Sequence, residues 1–491
     1  MRILFIYNRF ENIGIEVLSS FLKSKGHEVM LSFDPQLFND GYLNISYLAK
    51  KYDYTEKIMN DIERLKPGLI AFSVLTDNYQ WALKLARTTR ERFSIPIVFG
   101  GIHCTSVPDE VISHDFIDFA VIGEGEYALL ELVEALEKKQ DYSKIRNLVF
   151  KEGNEVVKNE VRDLIEDLDE LPYPDKGLFY EVIPYTRKNY RLMAARGCPY
   201  SCTYCFNHMY RRIYMNKGKY LRKRSVDNVI SELKFMKRKY DFKSITTIDD
   251  VFMTDNEWIR EFCRKYKEEI DVPLRCIGHV DCINEENTRM LKEAGCDTIQ
   301  IGVQTTCENT RKNIIYRHET NEVIEKAAGL LKKHRIRFEV DHIFGFPYEG
   351  EKEYIEAARF YNRIRPDIIN CYWLKCFPKT DIIPHMIKAG KLSDEDVEKI
   401  EKGLSPSYIL GGSVKNKREL QKFSSLMNMI PVLPKSVIDF IINHKLYYLT
   451  NFGTKFMVLS RLAKSMFWRD IRLFEFLHFY GHYVFKSNKR Y

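Results

Sequence analysis

The sequence lacks the features that would place the protein in a membrane or outside the cell. None of its hydrophobic runs reaches the roughly 18 uninterrupted apolar residues that a membrane-spanning helix requires. The apolar start, Met1–Tyr7, is too short for a signal peptide and leads directly into a strand-like pattern. Internal repeats and low-complexity segments are also absent. These absences predict a globular protein of the cytoplasm.

Cysteine usage excludes a disulfide framework. The 491 residues include 11 cysteines, an odd number, and a long chain without a signal peptide is expected in a reducing compartment. The formal net charge of +8 is too small for this length to indicate a nucleic-acid partner, and none is expected. Most of the cysteines are scattered, whereas three are clustered. The clustered three carry most of the information about function.

The order of strand-like and helix-like segments predicts an α/β protein. Residues 1–142 alternate β-branched apolar strands with amphipathic helices, which is typical of a Rossmann-like, doubly wound parallel sheet. Residues 143–185, with a predicted hairpin and two prolines, form a connector. Residues 186–380 supply six β/α units and predict a partial (β/α)6 TIM-like barrel. Residues 381–491 are expected to be mainly helical.

The predicted strands place the binding sites, because ligands of such sheets bind at the carboxyl ends of the strands. In the first domain the strands are predicted at residues 3–7, 29–33, 69–74, 95–99 and 119–122. In the barrel they are predicted at residues 192–195, 244–248, 274–278, 298–303, 337–344 and 368–373.

Three cysteines follow the first predicted barrel strand on one short loop. Cys198, Cys202 and Cys205 have the spacing C-x3-C-x2-C. Three thiolates on a tight loop can bind three irons of a cubane cluster and leave the fourth iron open. Two alternatives stand beside this interpretation: three buried thiols without a metal, and a zinc site with His208 or a more distant fourth ligand.

The cysteine loop resembles the signature of the radical S-adenosylmethionine (SAM) superfamily, and the resemblance extends over residues 190–380. It implies a [4Fe–4S] cluster whose open iron binds the amino and carboxylate groups of SAM. An electron from the cluster would then cleave SAM to a 5′-deoxyadenosyl radical. The resemblance therefore also implies an electron donor such as flavodoxin or ferredoxin.

The same resemblance assigns SAM contacts to six further residues: Tyr204, Asp249, Asp250, Gln304, Gly345 and Pro347. Tyr204 matches a ring beside the adenine, although simple loop packing would also explain it. The two aspartates match a polar group near the amino group of SAM, although they could instead cap the next helix. Gln304 stands where the family commonly has Glu, so a contact with the ribose is expected and a role that needs charge is not. Gly345 and Pro347 match a Gly-x-Pro stretch that lines the adenine pocket.

The first domain resembles the cobalamin (B12)-binding domain that precedes many radical SAM barrels. Loops after three predicted strands carry this resemblance, which assigns cobalamin contacts to Ser73, Leu75, Thr76, Gly100, Gly101, Gly123 and Glu124. Glycines there would let the nucleotide tail approach the backbone. His103 is expected to be a satisfied loop residue.

One element of the cobalamin-binding pattern is missing. The usual Asp-x-His-x-x-Gly element, whose histidine binds cobalt from below, is replaced by Asp-Pro-Gln-Leu-Phe-Asn at residues 34–39. The resemblance therefore implies a corrin without a lower protein ligand. A Rossmann-like domain that has lost its cofactor is the alternative.

The segment Phe467–Tyr480 is rich in aromatic residues, and six basic residues stand against two acidic ones in residues 464–491. Such a composition can lie at a membrane interface, so a peripheral membrane contact through the carboxyl end stays open. We expect instead a helix that caps the open barrel and buries its aromatic side chains, which also explains this composition.

These features together predict a radical SAM enzyme that uses cobalamin to methylate an unactivated carbon of a small-molecule or lipid-like substrate. One alternative is a radical SAM enzyme that catalyses oxidation, cyclisation or rearrangement with a cobalamin-free first domain. A second is a non-catalytic iron–sulfur and cobalamin sensor. The sequence names no catalytic residue beyond those that bind the cofactors.

Overall fold

Two units with parallel sheets make up most of the protein, in a computed structural model that describes residues 1–39, 44–452 and 471–487. The predicted α/β class is confirmed, with a Rossmann-like sheet, then a partial barrel, then helices. Among the described residues, every helix is too short or too polar to span a bilayer.

The first sheet contains seven strands in the order β2-β1-β3-β4-β5-β6-β7, of which the first five are parallel. The strands are β1 Arg2–Asn8, β2 Glu28–Asp34, β3 Leu69–Ser73, β4 Ile97–Gly100, β5 Phe119–Val121, β6 Leu148–Glu152 and β7 Glu155–Lys158. Strands β6 and β7 are the predicted hairpin, and β6 pairs antiparallel with β5. The sheet thus continues beyond residue 142 into the predicted connector.

Helices cover both faces of this sheet, as its doubly wound pattern requires. They are α1 Ile13–Ser24, α2 Ser46–Lys51, α3 Thr55–Leu65, α4 Tyr79–Arg92, α5 Ile102–Ser106, α6 Pro108–Ser113 and α7 Glu126–Lys138. Alternate residues of β1 enter different cores: Ile3 and Phe5 face one layer of helices, and Leu4 and Ile6 face the other. The sequence did not predict α2, α3, α5 and α6.

The second sheet is a six-stranded, wholly parallel partial barrel with the order β15-β14-β13-β12-β11-β8. Its strands are β8 Asn189–Leu192, β11 Ser244–Thr247, β12 Leu274–Gly278, β13 Cys296–Gln304, β14 Arg337–Phe344 and β15 Ile368–Trp373. A two-stranded antiparallel ribbon, β9 Ala195–Arg196 and β10 Arg222–Lys223, follows β8.

Strand β8 ends three residues before the predicted boundary at residue 195, and the prediction is wrong there. The cause is Asp249, whose Oδ1 accepts hydrogen bonds from the backbone N–H groups of Ala194 (2.9 Å) and Ala195 (2.5 Å). Backbone donors that are bonded to a side chain cannot extend the sheet. The chain therefore leaves the barrel and forms the ribbon.

Helices pack outside the barrel, and more helices follow it. They are α8 Gly177–Tyr180, α9 Phe206–Ile213, α10 Val226–Tyr240, α11 Asn256–Glu269, α12 Glu285–Glu293, α13 Glu308–Asn313, α14 Asn321–Lys333, α15 Glu351–Ile364, α16 Ile382–Lys388, α17 Asp394–Glu401, α18 Lys417–Met429, α19 Lys435–Asn443 and α20 Ile471–Ser487. Short 3₁₀ helices occur at Leu168–Glu170, Pro184–Lys188, Val280–Cys282 and Leu446–Leu449. Side chains of Ser225, Asp255 and Thr320 cap α10, α11 and α14.

The last described helix, α20, packs on the first unit and the connector. Phe479 is buried, Tyr483 stacks on Phe33 with ring centroids 6.4 Å apart, and the Tyr483 hydroxyl donates to Val182 O (2.8 Å). Phe479 of the aromatic segment is therefore packed, but it lies against Tyr185 of the connector instead of capping the barrel. Residues 467–470 of that segment lie outside the described residues.

A candidate active site between the two sheets

A cavity of about 340 Å³ lies where the carboxyl ends of the two sheets face each other. The first unit contributes the ends of β3, β4 and β5, including Ser73 and Gly100. The second unit contributes the ribbon β9–β10, helix α9 and the end of β11, including Asp249 and Asp250. Two sets of strand ends, each a preferred ligand site, thus share one space.

The loop with the three predicted cluster ligands joins β9 to α9, directly beside this cavity. The Arg211 guanidinium braces the loop by donating to Ser201 Oγ (3.0 Å) and to Tyr200 O (3.2 Å). Thr203 Oγ1 anchors it to the barrel by donating to Ile314 O (2.7 Å). Gly197 starts the loop at φ +87°, where a Cβ would lie 2.3 Å from Tyr220 O. A residue other than glycine would therefore displace the loop.

The pKa values of the three loop thiols show that they must lose their protons in order to bind iron. Burial raises the pKa of Cys198 to about 12 and that of Cys205 to about 11, and it also raises the pKa of Cys202. The thiols are protonated near neutral pH unless a bound metal displaces their protons. Three thiols on one loop are the donor set of a cluster with an open iron, so the loop fits a [4Fe–4S] group.

The zinc alternative depends on a fourth ligand. His208 Nδ1 lies 3.3 Å from Asp381 Oδ2, so this histidine faces an acid on the other side of the loop. Across residues 1–39, 44–452 and 471–487, no three His, Cys, Asp or Glu side chains converge closely enough to hold a single ion. Thiolates that bind three different irons of a cubane do not need to converge in this way.

Asp249 and Asp250, at the end of β11, have different surroundings. Asp249 is buried and holds Ala194 and Ala195 through Oδ1, while its Oδ2 has no hydrogen-bond partner. Burial raises the pKa of Asp249 to about 7. Asp250 is exposed and lines the cavity. Asp250 is thus the carboxylate of this pair that a bound ligand can reach directly.

The other residues assigned to SAM lie around the barrel side of the cysteine loop. Tyr204 packs edge-on against Phe346, with ring centroids 5.9 Å apart. Pro347 is buried on the loop after β14, and Gln304 ends β13 at φ +65°. Gly345 has φ +100°, and a Cβ there would lie 2.4 Å from Val414 Cγ2. Packing against the carboxyl-terminal region therefore explains this glycine without a ligand.

Arg317 joins these residues to the cysteine loop, and no sequence motif predicted its role. Its Nη2 donates to Gly302 O (2.7 Å), and its Nε donates to the buried carboxylate of Glu319 (2.6 Å). Burial alone would lower the pKa of this guanidinium, but the neighbouring Tyr204 hydroxyl, Cys202 thiol and Glu319 carboxylate raise it above its ordinary value. A permanent positive charge therefore lies beside the cluster ligands.

The residues assigned to cobalamin separate into two groups. Ser73, Gly100, Gly101, Gly123 and Glu124 line the cavity, whereas Leu75 and Thr76 do not. Thr76 is buried, and its Oγ1 lies 3.1 Å from the Nδ1 atom of His103, whose ring packs on Tyr79. His103 is therefore a packed residue as predicted, but it lies in helix α5 instead of a loop, and burial lowers its pKa to about 3.

The first-unit wall of the cavity fits a large group that approaches the backbone. A Cβ built on Gly100 would meet nothing closer than Val121 O at 3.8 Å, so this backbone faces open space. Phe5, Ala71 and Val98 supply apolar surface beside it. None of the residues lining the cavity comes from residues 34–39, and Asp34 is occupied by hydrogen bonds from Gln36 and Trp81. The wall thus offers an open, apolar surface without a histidine from residues 34–39.

Comparisons with known proteins agree with this geometry. Residues 3–133 match the B12 binding domain, and residues 193–361 match the Radical SAM superfamily. An uncharacterized methyltransferase of Pyrococcus horikoshii is 28% identical, over 72% of this chain and 74% of its own. The anaerobic magnesium-protoporphyrin IX monomethyl ester cyclase of Rubrivivax gelatinosus is 24% identical, over 81% and 72%.

One solved structure covers nearly the whole chain. The cobalamin-dependent SAM radical enzyme OxsB, with aqua-cobalamin and SAM bound, superposes with a TM-score of 0.66 at 17% identity. The match covers 96% of this chain and 75–80% of the OxsB chains. At this identity the likeness concerns the fold, and the two matched domains account for the predicted cofactors, a [4Fe–4S] cluster, SAM and cobalamin. The chain thus contains a B12 binding domain followed by a radical SAM domain.

Proposed function

We propose that the protein transfers a methyl group from cobalamin to an unactivated carbon of a small molecule. The observation that carries this proposal is the shared cavity. Its floor is the glycine-lined end of the cobalamin-binding sheet, and its opposite wall includes Asp250 and the start of the cysteine loop. A substrate carbon in this space would lie between the two cofactor sites, which methyl transfer to a carbon radical requires.

The cofactors supply the chemistry when bound: the cluster with SAM generates the radical, and cobalamin provides the methyl group. Cys198, Cys202 and Cys205 would hold the cluster. Tyr204, Asp249, Asp250, Gln304, Gly345 and Pro347 stay assigned to the SAM site, with Asp249 acting through the backbone that it orders. Ser73, Leu75, Thr76, Gly100, Gly101 and Gly123 stay assigned to cobalamin contacts, and Glu124 to a supporting position next to them, because its carboxylate is bonded to Arg196, Arg222 and Ile165 N.

Aromatic side chains exclude water from the proposed reaction space. Tyr210, Tyr214 and Tyr220 line the cavity from helix α9 and the segment after it. Two of their hydroxyls form hydrogen bonds with neighbouring protein groups. That of Tyr210 donates to Thr105 Oγ1 (3.0 Å), and that of Tyr220 donates to Asn207 Oδ1 (2.6 Å). The rings therefore present apolar faces, which protects a reactive carbon radical from water.

The names of the relatives support methyl transfer as the first candidate reaction and ring closure as the second. The Pyrococcus relative is called a methyltransferase, and the Rubrivivax relative is called a cyclase. Ring closure with the same cofactors is therefore the second candidate. An electron donor such as flavodoxin or ferredoxin would reduce the cluster, and a lipid-like substrate would account for a peripheral contact of the carboxyl end with a membrane.

The experiment is anaerobic reconstitution with iron, sulfide and hydroxocobalamin, followed by turnover with reduced flavodoxin, methyl-deuterated SAM and candidate extracts. Methylation gives a product that carries the deuterated methyl group, together with 5′-deoxyadenosine and S-adenosylhomocysteine. A product that has lost hydrogen without gaining the label would instead show cyclisation or oxidation. The Cys202→Ala chain is the control, because without a complete cluster it should form no 5′-deoxyadenosine. Cobalamin and cluster binding without deoxyadenosine in any extract would favour a sensor.

A further inference from the structure

A buried group of charged side chains joins the two sheets beside the cavity. It comprises Glu124 and Glu126, which follow β5, and Arg196 and Arg222, which lie on the ribbon, and we call it the interdomain clamp. Arg196 Nη1 donates to Glu124 Oε1 (2.9 Å), and Arg196 Nη2 donates to Glu126 Oε1 (2.5 Å). Arg222 Nη2 donates to the same Oε1 atom of Glu124 (2.9 Å). All four side chains are at most 16% exposed, so solvent screens these contacts little.

Glu124 is the centre of the clamp, and its polar atoms are all engaged. Its Oε2 accepts from Ile165 N (2.9 Å) in the connector, and its backbone N–H donates to the Tyr214 hydroxyl (2.7 Å). Its carbonyl accepts from Asn147 Nδ2 (2.9 Å). The two arginines hold the pKa of Glu124 below its ordinary value in spite of burial. Glu124 therefore acts on the site through its neighbours, as a positioning residue.

The clamp connects the cysteine loop to the glycine-lined floor of the cavity through residues that are adjacent to each in the chain. Arg196 and Arg222 are directly opposite each other in the ribbon, and Gly197 and Cys198 come immediately after Arg196. On the other side, Glu124 follows Gly123 on the cobalamin floor. The ribbon is thus held at its base by Asp249 and at its tip by Glu124.

We propose that the interdomain clamp sets the separation and relative orientation of the iron–sulfur cluster and the corrin. The proposal rests on the proposed function, in which both cofactors act on one carbon. Arg222 holds both carboxylate oxygens of Glu124, since its Nη1 also donates to Oε2 (3.2 Å), and Arg196 spans Glu124 and Glu126. Buried contacts of this kind permit few geometries, and small displacements of reacting groups are costly in catalysis. Two arginines that converge on one carboxylate would repel each other and move apart if that charge were removed.

The test is the Glu124→Gln chain, which keeps the size of the side chain and removes its charge. Both this chain and the unmodified chain are loaded with cluster and hydroxocobalamin and then reduced to paramagnetic cluster and cob(II)alamin. Pulsed electron spin resonance measures the distance between the two centres. We expect one narrow separation in the unmodified chain and a broad distribution in Glu124→Gln, with unchanged iron and cobalt contents.

A matched control is Glu131→Gln on α7, because Glu131 pairs with Arg162 of the connector and lies outside the cavity. This variant should keep the narrow separation. Glu124→Asp, which retains the charge, should restore much of it. If Glu124→Gln does not fold, Arg196→Lys replaces it, because a lysine ammonium keeps the charge but does not span Glu124 and Glu126 as the guanidinium does.

The remaining outcomes overturn the clamp proposal, the proposed function or both. An unchanged distance distribution in Glu124→Gln, or in Arg196→Lys where that variant replaces it, overturns the proposal, because the clamp is then not what spaces the cofactors. Loss of cobalt with iron retained also overturns it, because Glu124 is then needed for cobalamin binding itself. An unmodified chain that takes up no cobalamin refutes the proposed function, and the clamp proposal falls with it.

Discussion

Gly101 lies so close to Val74 that a Cβ at this position would be 2.8 Å from the Val74 carbonyl oxygen and 2.9 Å from its nitrogen. Its φ of +101° is also unfavourable for any residue with a side chain. The neighbouring Gly100 has neither restriction, and its backbone faces the cavity. Gly101 is therefore required by the fold, whereas Gly100 keeps the floor of the cavity open.

This difference predicts opposite results at the two positions. Gly100→Val should fold normally and bind hydroxocobalamin about tenfold more weakly or worse, a loss of at least about 1.4 kcal/mol. Gly101→Val should lower the melting temperature of the cofactor-free chain, because strain of this kind costs about 1–3 kcal/mol. Cobalamin titration and thermal unfolding check the pair. Normal cobalamin affinity in a folded Gly100→Val chain would favour a first unit that has lost its cofactor.

Replacing any one of the three loop cysteines by alanine should remove one of the three protein ligands of the cluster. Iron should fall well below four atoms per chain, and deoxyadenosine should no longer form. Cys263→Ala is the matched control, because this buried cysteine lies on α11 within the barrel core. Iron analysis and product chromatography give the answer. A full cluster in the triple variant would refute the assignment.

Bound cobalamin should have no histidine nitrogen below its cobalt. Residues 34–39 supply no histidine, and His103 is buried between Thr76 and Tyr79. The Co(II) spectrum of a chain labelled with ¹⁵N-histidine should therefore be identical to that of the unlabelled chain. A change in nitrogen splitting on labelling would show that a histidine reaches the cobalt.

The buried carboxyl of Asp249 should make the protein less stable as pH rises. Its pKa is about 7 in the folded chain, against an ordinary value of 3.8, so the folded state binds more protons between these values. The free energy of unfolding therefore decreases with rising pH across this window. Asp249→Asn retains an oxygen for Ala194 and Ala195 and should remove this contribution.

The measurement is urea unfolding of both chains from about pH 5 to about pH 7.5, and Asp249→Asn should gain stability relative to the unmodified chain towards the upper limit. Thr247→Val, a buried change on the same strand without a titrating group, should leave the slope unchanged. Equal slopes in the Asp249→Asn and unmodified chains would mean that Asp249 keeps an ordinary pKa.

Periodicity predicted both sheets because buried parallel strands are continuous apolar runs with characteristic spacing. It did not predict α2, α5 and α6, which have five or six residues and are too short to show a helical period. The end of β8 depends on Asp249, a residue more than 50 positions away in the chain. Such a boundary is a tertiary effect that local patterns do not contain.

The candidate site likewise contains residues that local motifs predicted and residues that only the tertiary structure identifies. Glycine and cysteine motifs identified the loops at the strand ends, because those residues are required by local chemistry. Arg196, Arg222 and Arg317 carry no motif, and their importance comes only from the carboxylates and carbonyls that the fold brings to them. Glu124 was assigned to cobalamin by resemblance, whereas its described contacts are with the barrel and the connector.

The carboxyl-terminal helix offers two neighbouring residues that separate packing from membrane binding. Phe479 is 8% exposed and lies against Tyr185, with ring centroids 6.2 Å apart, whereas Leu477 is 56% exposed. If α20 serves to pack on the first unit, Phe479→Ala should lower the free energy of unfolding by about 3 kcal/mol, and Leu477→Ala should leave it almost unchanged. Unfolding curves of the two variants test this directly.

Vesicle binding tests the other interpretation of the same helix. An interfacial helix would insert its exposed apolar residues, and basic residues near an anionic surface would add attraction that salt weakens. We expect the full chain to ignore anionic vesicles, and deletion of residues 464–491 to lower stability because Phe33 and Tyr185 lose their cover. Salt-sensitive vesicle binding that disappears in Leu477→Ala and survives in Phe479→Ala would contradict this expectation. In that case the helix meets a membrane, and a lipid-like substrate becomes the first to test.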